Sequence, residues 1–260
     1  MSDCPPASLP GSSPFRLHGS FESSDLDEIR SVAGAAQHPF TVQPGLRTSH
    51  MRFRLEHHPL SRVALTQAEL DYQGQLHIWA PPLERHYFLQ IPLRGGAVVR
   101  HGARTVAVAS GKAAVVLSPG PETRMRGHGG FEEITLEIDA AAVRRCWTDL
   151  AGGPPDEPIS FHPALRLDSE PGASIVRLVR FLAEEVSRPG SALATSPTLG
   201  RLEEALILCL LHRGSPTRWG SRCDGAPRSR PPVWSATPRR GWRRMSQSRS
   251  PWRRSRKLRV

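Results

Sequence analysis

Histidine is the residue type in this chain that most invites a search for a metal site. The 260 residues include 11 histidines, and a bound metal needs several such ligands that converge on one point. His77 and His86 are nine residues apart, and His101 stands alone. The adjacent His57 and His58 would point to opposite faces of a regular strand. The spacing therefore favours scattered histidines, and we predict neither a metal site nor a cofactor.

The cysteines give no stronger signal. They form no CxxC pair and lie far apart, at Cys4, Cys146, Cys209 and Cys223. Cys146 and Cys209 lie among apolar residues of predicted helices, which indicates ordinary buried thiols in a reducing compartment. The N-terminal stretch lacks a basic region followed by an apolar one, and the longest apolar run, "ALILCLL", is too short to span a bilayer. We therefore expect a cytoplasmic protein without a membrane partner.

No arrangement of nucleophile and base stands out. The segment "LSPGP" at residues 117–121 lacks the Gly-x-Ser-x-Gly pattern of a nucleophile elbow, and no glycine-rich phosphate loop is present. Glu132 and Glu133 are adjacent, and we interpret them as one outward-facing strand residue beside another at the margin of a sheet. The sequence predicts no catalytic residues. A metal-dependent barrel enzyme is kept as the weaker alternative.

Three side chains are candidates for binding a small ligand inside a barrel. They are His77 and Trp79 in "QLHIWA" and Tyr87 in "HYFLQIPL", since an aromatic surface with a few polar groups can orient a ligand in a barrel mouth. The alternative for each is an ordinary core aromatic or a core histidine with its hydrogen bonds satisfied.

These residues lie in a region with the two-residue period of β-strands, from about residue 48 to 139. Eight segments fit: "MRFRLEH", "RVALTQAEL", "QLHIWA", "HYFLQIPL", "AVVRHG", "RTVAVA", "AAVVLSP" and "FEEITLEID". In the last one, Ile134, Leu136 and Ile138 share one face, while Thr135 and Glu137 share the other. Turn residues separate several segments, at Arg94–Gly96, His101–Ala103, Ser110–Lys112 and Ser118–Pro121. The pattern predicts a β-barrel or jelly roll.

Helical patterns flank the barrel. A short helix is predicted after Ser24 as N-cap, with Asp27 three residues on. About three helices are predicted over residues 140–213, so the fold class is β + α. In the last helix, residues 205–211 are apolar on every side, which predicts burial against more than one surface. We expect Leu202, Leu206, Cys209 and Leu210 to contact a second copy of the chain; burial within the chain's own domain is the alternative.

The two ends of the chain differ from this body. Residues 1–20 are rich in proline, serine and glycine and are predicted to be disordered. The C-terminal tail, residues 214–260, contains 13 arginines, one lysine and one aspartate, which sum to +13. Since the whole chain carries +11, the first 213 residues sum to 11 − 13 = −2. The tail has no helical or strand period and is predicted to be unstructured.

The order of features resembles a known family. "FESSDLDEIR", "HPF", "YFLQIPLRG", "GKAAVVLSPG" and "LEEALILCLL" follow one another over residues 21–213. This is similar to the N-terminal ligand-binding domain of AraC/XylS-family transcription regulators. The resemblance implies a cupin-type barrel that senses a small-molecule effector or a partner and dimerises through its helices. It also implies a separate DNA-binding domain with two helix-turn-helix units.

The tail shows no helix-turn-helix pattern. With a suitable choice of codons, the frame one base earlier encodes "KGMEANVAEPITVEEIAQAAG" from the segment "RRGWRRMSQSRSPWRRSRKLRV", and this product resembles the start of the family's DNA-binding domain. We therefore expect a frameshift near codon 213 and a truncated regulator without sequence-specific DNA binding. The alternative takes the tail as an arm that binds nucleic acid nonspecifically through its 14 cations and its tryptophans.

Overall fold

A computed structural model describes residues 19–36, 38–45, 48–193 and 197–213 of the chain. Its main element is one curled antiparallel sheet that forms a half-barrel. The strands are β1 Gly19–Ser23, β2 Thr41–Pro44, β3 Ser49–Pro59, β4 Val63–Gln73, β5 Gln75–Ala80, β6 His86–Arg94, β7 Gly96–His101, β8 Arg104–Ala109, β9 Ala113–Leu117, β10 Thr123–His128, β11 Phe131–Asp139 and β12 Ala164–Arg166. Their spatial order is β1-β3-β4-β11-β6-β9-β8-β7-β10-β5-β2, and β12 pairs with β9.

In the described ranges, four helices accompany the sheet. They are α1 Leu26–Ala36, α2 Ala140–Ala151, α3 Glu170–Ser187 and α4 Thr198–Arg213. The predicted fold class, a barrel followed by three helices, is confirmed. The N-cap prediction for α1 is wrong by one residue, because Asp25 rather than Ser24 accepts hydrogen bonds from the backbone nitrogens of Asp27 and Glu28 at 2.8 and 2.9 Å. No helix in the described ranges is long and apolar enough to cross a membrane.

All eight predicted strand segments are strands, and the structure adds four more. β1, β2, β10 and β12 escaped prediction because they are short or rich in polar residues and glycine, as in "TRMRGH" of β10. Gly19 and Ser20, predicted to be disordered, pair with His57 and Glu56 of β3. The prediction of disorder is therefore wrong for residues 19 and 20, while residues 1–18 lie outside the described part of the chain.

The predicted turns are confirmed, and Gly95 shows why one of them requires glycine. Its φ is +74°, a conformation that side chains disfavour. A Cβ at this position would lie 2.6 Å from the carbonyl oxygen of Gly130. The turn between β6 and β7 therefore passes close to the start of β11.

β11 separates two cores. Ile134, Leu136 and Ile138 are buried in the cluster that contains the apolar faces of α2, α3 and α4. The alternate residues Glu133, Thr135 and Glu137 must then project to the opposite face, toward the barrel interior. The predicted alternation in this strand is confirmed, but both of its faces are covered.

The packing of α4 changes the interpretation of its apolar residues. Leu206 is 0% exposed and Leu210 is 1% exposed, and both belong to the core of their own domain. These two side chains therefore stabilise the domain and are not available to a partner. Leu202 and Cys209, also predicted to contact a second copy, are only partly buried.

Candidate ligand-binding site

A cavity of about 100 Å³ lies inside the half-barrel. Its lining comes from α1, from eight strands and from the connecting segments, on the face opposite α2, α3 and α4. Most of the lining is apolar: Ile29, Ala33, Phe40, Val42, Met51, Phe53, Ala68, Leu70, Ile78, Ala80, Leu83, Phe88, Leu117, Met125 and Phe131. Such a surface suits the apolar body of a small molecule.

A few polar groups face this apolar space. His38, Gln90, Thr123 and Glu133 complete the lining. His38 Nε2 and Gln90 Oε1 are buried and have no hydrogen-bond partner among the described residues. Since an unpaired buried polar atom costs about 1–3 kcal/mol, these atoms mark a place where a ligand or water would be stabilised.

The chain has 24 acidic residues. Among the described residues, Glu133 is the only acidic one that lines the cavity. Its carboxylate accepts a hydrogen bond from Thr135 Oγ1 at 3.2 Å. Burial raises the pKa of Glu133 to about 7, and the Thr135 hydrogen bond only partly opposes this. Our interpretation of Glu132 and Glu133 as a marginal pair is therefore wrong for Glu133, which lies in the interior.

The protonation state of the His38 ring follows from its surroundings. Its ring hydrogen-bonds to the backbone of Pro81, and proline has no N–H, so the ring must donate to the carbonyl oxygen. Burial lowers the pKa of His38 below its ordinary value. The ring is therefore neutral near pH 7, and the unpaired Nε2 is a hydrogen-bond acceptor.

A second, smaller cavity of about 20 Å³ adjoins the first. Gln90 and Glu133 line both cavities, while Tyr72 lines only the smaller one. The Tyr72 hydroxyl is buried without a partner among the described residues, and burial raises its pKa to about 12. A Cβ on Gly127 would lie 2.6 Å from this hydroxyl, so the glycine leaves room for the phenol.

An ionisable pair follows Glu133 on the same face of β11. Glu137 Oε1 lies 3.1 Å from His86 Nδ1. Burial raises the pKa of Glu137 to about 7 and lowers that of His86. Near pH 7, Glu137 is therefore partly protonated, while the lowered pKa of His86 favours its neutral ring.

The three ligand-binding candidates from the sequence do not line this cavity. His77 and Trp79 lie together in a groove on the outer face of β5, β7 and β10. Trp79 is 41% exposed, and its indole nitrogen donates to Glu122 at 3.1 Å. Tyr87 is buried on the helix side of β6, where its hydroxyl donates to the Ile159 carbonyl oxygen at 2.6 Å. Tyr87 is thus a core aromatic with a satisfied hydroxyl.

The residues that do line the cavity carried a weak sequence signal. Gln90 follows Phe88 at strand spacing, and Glu133 precedes Thr135 in the same way. The strand period places each pair on one face but does not say whether that face is solvent or interior. Among the described residues there is also no group of three or more histidines, cysteines or acidic residues that could hold a metal ion.

Several known proteins are similar to this chain in sequence or in structure. The chain is 30% identical over 194 residues to the "Probable thc operon regulatory protein" of Rhodococcus erythropolis, and this match covers 73% of the chain but only 57% of the relative. The crystal structure of the AraC-like transcriptional activator CuxR superposes with a TM-score of 0.56 at 12% identity, over 75% of this chain and 69% of that one. The cupin domain of Schizosaccharomyces pombe Cnp3 overlaps with a TM-score of 0.31 at 11% identity, over 36% of this chain and 65% of that one.

A sequence model of one domain family matches residues 29–212, which include most of α1, strands β2 to β12 and nearly all of α4. That stretch contains every residue that lines the cavity. The chain therefore belongs to the AraC-binding-like domain family.

Proposed function

We propose that this chain is the effector-binding and dimerisation module of an AraC-family transcription regulator, and that the effector occupies the barrel cavity. The regulatory relative and the AraC-like activator support the regulatory role. The observation that carries the effector site is the apolar cavity faced by His38 Nε2 and Gln90 Oε1, both unpaired among the described residues. A cavity lined only for packing would gain nothing from such atoms.

Dimerisation is proposed to use the side of α4 that its own domain leaves uncovered. Leu202, Ala205 and Cys209 recur at helical spacing, and none of them is buried. Leu206 and Leu210 lie on the adjoining side of the helix, where they are buried in the core. We call Leu202, Ala205 and Cys209 the uncovered stripe of α4. A second copy of the chain that packed against this stripe would remove apolar surface from water.

The DNA-binding step is proposed to require a segment that residues 214–260 do not supply. These residues lie outside the described part of the chain, and their composition indicates an out-of-frame product of a regulator gene. Determining the nucleotide sequence around and beyond codon 213 tests this. An intact helix-turn-helix frame beside the present one is the expected result, and its absence would contradict the frameshift.

The tail could also bind nucleic acid nonspecifically, because it carries 13 arginines and one lysine. Retention of the full chain on DNA would then fall steeply between low and moderate salt. Retention that barely changed with salt would contradict such an arm.

The effector site is tested by screening the full chain against small neutral, acidic and basic compounds and recording the thermal unfolding midpoint. Ligands that occupy the cavity raise the midpoint. The same ligands lose their effect in Ala80→Phe, which fills the lining at the end of β5. Met125→Trp fills the same cavity from β10 and serves if the first variant does not fold. The proposed site is wrong if none of the neutral, acidic or basic compounds binds. It is also wrong if the compounds that bind raise the unfolding midpoint of the cavity-filling variants as much as that of the parent chain.

A further inference from the structure

We propose that the ligand of the barrel cavity is a small amine, whose nitrogen donates hydrogen bonds to Glu133, Gln90 and His38 while its short apolar chain fills the rest. This inference rests on the proposed function, since it names the chemical class of the effector. It specifies an amine as the ligand, and not a carboxylic acid or an alcohol of the same size.

Two of the polar residues that line the cavity carry buried acceptor atoms without a partner among the described residues. Gln90 Oε1 accepts only, His38 Nε2 is an acceptor because the ring donates to Pro81, and an ionised Glu133 accepts only. An alkylammonium group has three N–H donors, whereas an alcohol has one and a carboxylate has none. The ammonium head therefore matches the number and the polarity of these atoms.

The charge of the lining points the same way. Among the described residues that line the main cavity there is no lysine or arginine, whereas Glu133 is one of them. A carboxylate ligand would enter an apolar space beside another carboxyl group and without a cationic partner, which is costly. An ammonium ligand would instead find its counter-ion in Glu133.

The three acceptors are held on two sides of the cavity. Gln90 is the cross-strand partner of Thr135 in the β6–β11 register, and Glu133 lies two residues along β11 on the same face. His38 follows α1, and its ring centre is 6.4 Å from that of Phe88, which is two residues from Gln90. The apolar residues of β2, β3, β4 and β5 surround the remaining space. A cavity of about 100 Å³ suits a chain of about four carbons better than a large ring system.

The ionisation of Glu133 provides a second measurable consequence. With its pKa raised to about 7, this carboxyl is partly protonated at neutral pH in the empty cavity. A bound ammonium ion favours the carboxylate, so binding releases a proton from Glu133. The other titratable side chain of the lining, His38, has a lowered pKa and stays neutral in both states.

The test compares three probes with one carbon chain: n-butylamine, n-butanol and butyrate. Each is titrated calorimetrically into the full chain at pH 7, in two buffers that differ in ionisation enthalpy. We expect n-butylamine to bind about tenfold or more tightly than either of the others. We also expect its apparent binding enthalpy to differ between the buffers in proportion to the proton released.

Two matched variants locate the interaction. Glu133→Gln keeps the size of the side chain and should lower the affinity for n-butylamine about tenfold while abolishing the proton release. Glu132→Gln makes the same change one residue away, outside the cavity lining, and should leave both unchanged. Thermal unfolding of each variant shows whether it is folded.

The outcomes separate this inference from the proposed function. Equal or tighter binding of n-butanol or butyrate overturns the amine ligand but leaves the cavity as an effector site. An affinity for n-butylamine that is unchanged in Glu133→Gln, or that falls equally in Glu132→Gln, also overturns it. If no compound of any charge class binds in the cavity, both the amine ligand and the effector site are overturned.

Discussion

The carboxylate of Glu203 in α4 accepts a hydrogen bond from the backbone nitrogen of Ser61 at 2.9 Å. Ser61 lies in the turn between β3 and β4, and the backbone nitrogen of Arg62 lies 3.2 and 3.4 Å from the two carboxylate oxygens. Glu203 is 0% exposed. This buried carboxylate therefore accepts hydrogen bonds from two backbone N–H groups of the turn between β3 and β4. It also holds α4, the helix proposed for dimerisation, against the sheet.

Replacing Glu203 by alanine should destabilise the domain substantially. The backbone N–H groups of Ser61 and Arg62 would lose their acceptor, and we expect a loss of about 2–3 kcal/mol in the free energy of unfolding. Urea denaturation of the full chain measures this. Glu204→Ala is the control, since Glu204 forms ion pairs with Arg201 and Arg62 that are screened by solvent and contribute little to stability. Equal losses for the two variants would contradict the role of Glu203.

The interior carboxyl of Glu133 should make stability fall as pH rises through the range of its titration. Its pKa is about 4.5 in the unfolded chain and about 7 in the folded one. Between these values the folded state holds a proton that the unfolded state has lost, so stability decreases as pH increases from about 4.5 to 7. Glu133→Gln removes this dependence and should be more stable than the parent chain at pH 8, with a smaller difference at pH 5.

Denaturant midpoints at the two pH values test this expectation. Glu132→Gln controls for the loss of a carboxylate as such, because it lies outside the cavity. A Glu133→Gln variant whose advantage is the same at pH 5 and pH 8 would contradict the raised pKa.

The sequence was sufficient for elements whose patterns are local. Ile134, Leu136 and Ile138 alternate with polar residues, which is enough to predict β11, and Gly95 marks the turn after β6. In contrast, β10 carries Arg124 and Arg126 on its outward face, so its composition resembles a loop. Such a strand becomes evident only through its pairing with β5 and β7.

The cavity could not be predicted because both faces of its strands are covered. In β6, Tyr87 packs toward the helices and Phe88 toward the barrel interior, and both are buried. The strand period therefore places Tyr87 and Phe88 on different faces without identifying which face lines the cavity. For the same reason Glu133 could be assigned to the interior only after the helices were located on the face of Ile134.

His101 should contribute stability that is lost in acid. Its Nδ1 lies 2.9 Å from Thr123 Oγ1, and its Nε2 accepts from the backbone nitrogen of Ser118 at 3.1 Å. Burial lowers the pKa of His101 below 6.5, so the folded state favours the neutral ring. The contribution is present above pH 6.5 and is lost as pH falls through the folded pKa.

The matching variant is His101→Leu, which leaves the partners of the ring unpaired. We expect a loss of about 2–3 kcal/mol at pH 8 and a smaller loss at pH 5, measured by denaturant unfolding. His77→Leu, an exposed histidine of β5, is the control and should change stability little at either pH. A loss for His101→Leu that grew in acid would contradict the assigned tautomer and pKa.

The uncovered stripe of α4 should determine the oligomeric state without determining stability. Leu202→Glu introduces a charge at a partly buried position of the stripe and should raise the dimer dissociation constant about tenfold or more. Leu206→Ala acts on the core and should cost about 2–5 kcal/mol in unfolding free energy. Sedimentation velocity over a concentration series measures association, and Arg180→Glu, at an exposed position of α3, controls for added negative charge. A full chain that remained monomeric at high concentration, or a Leu202→Glu variant that associated as the parent does, would exclude this face of α4 as the interface.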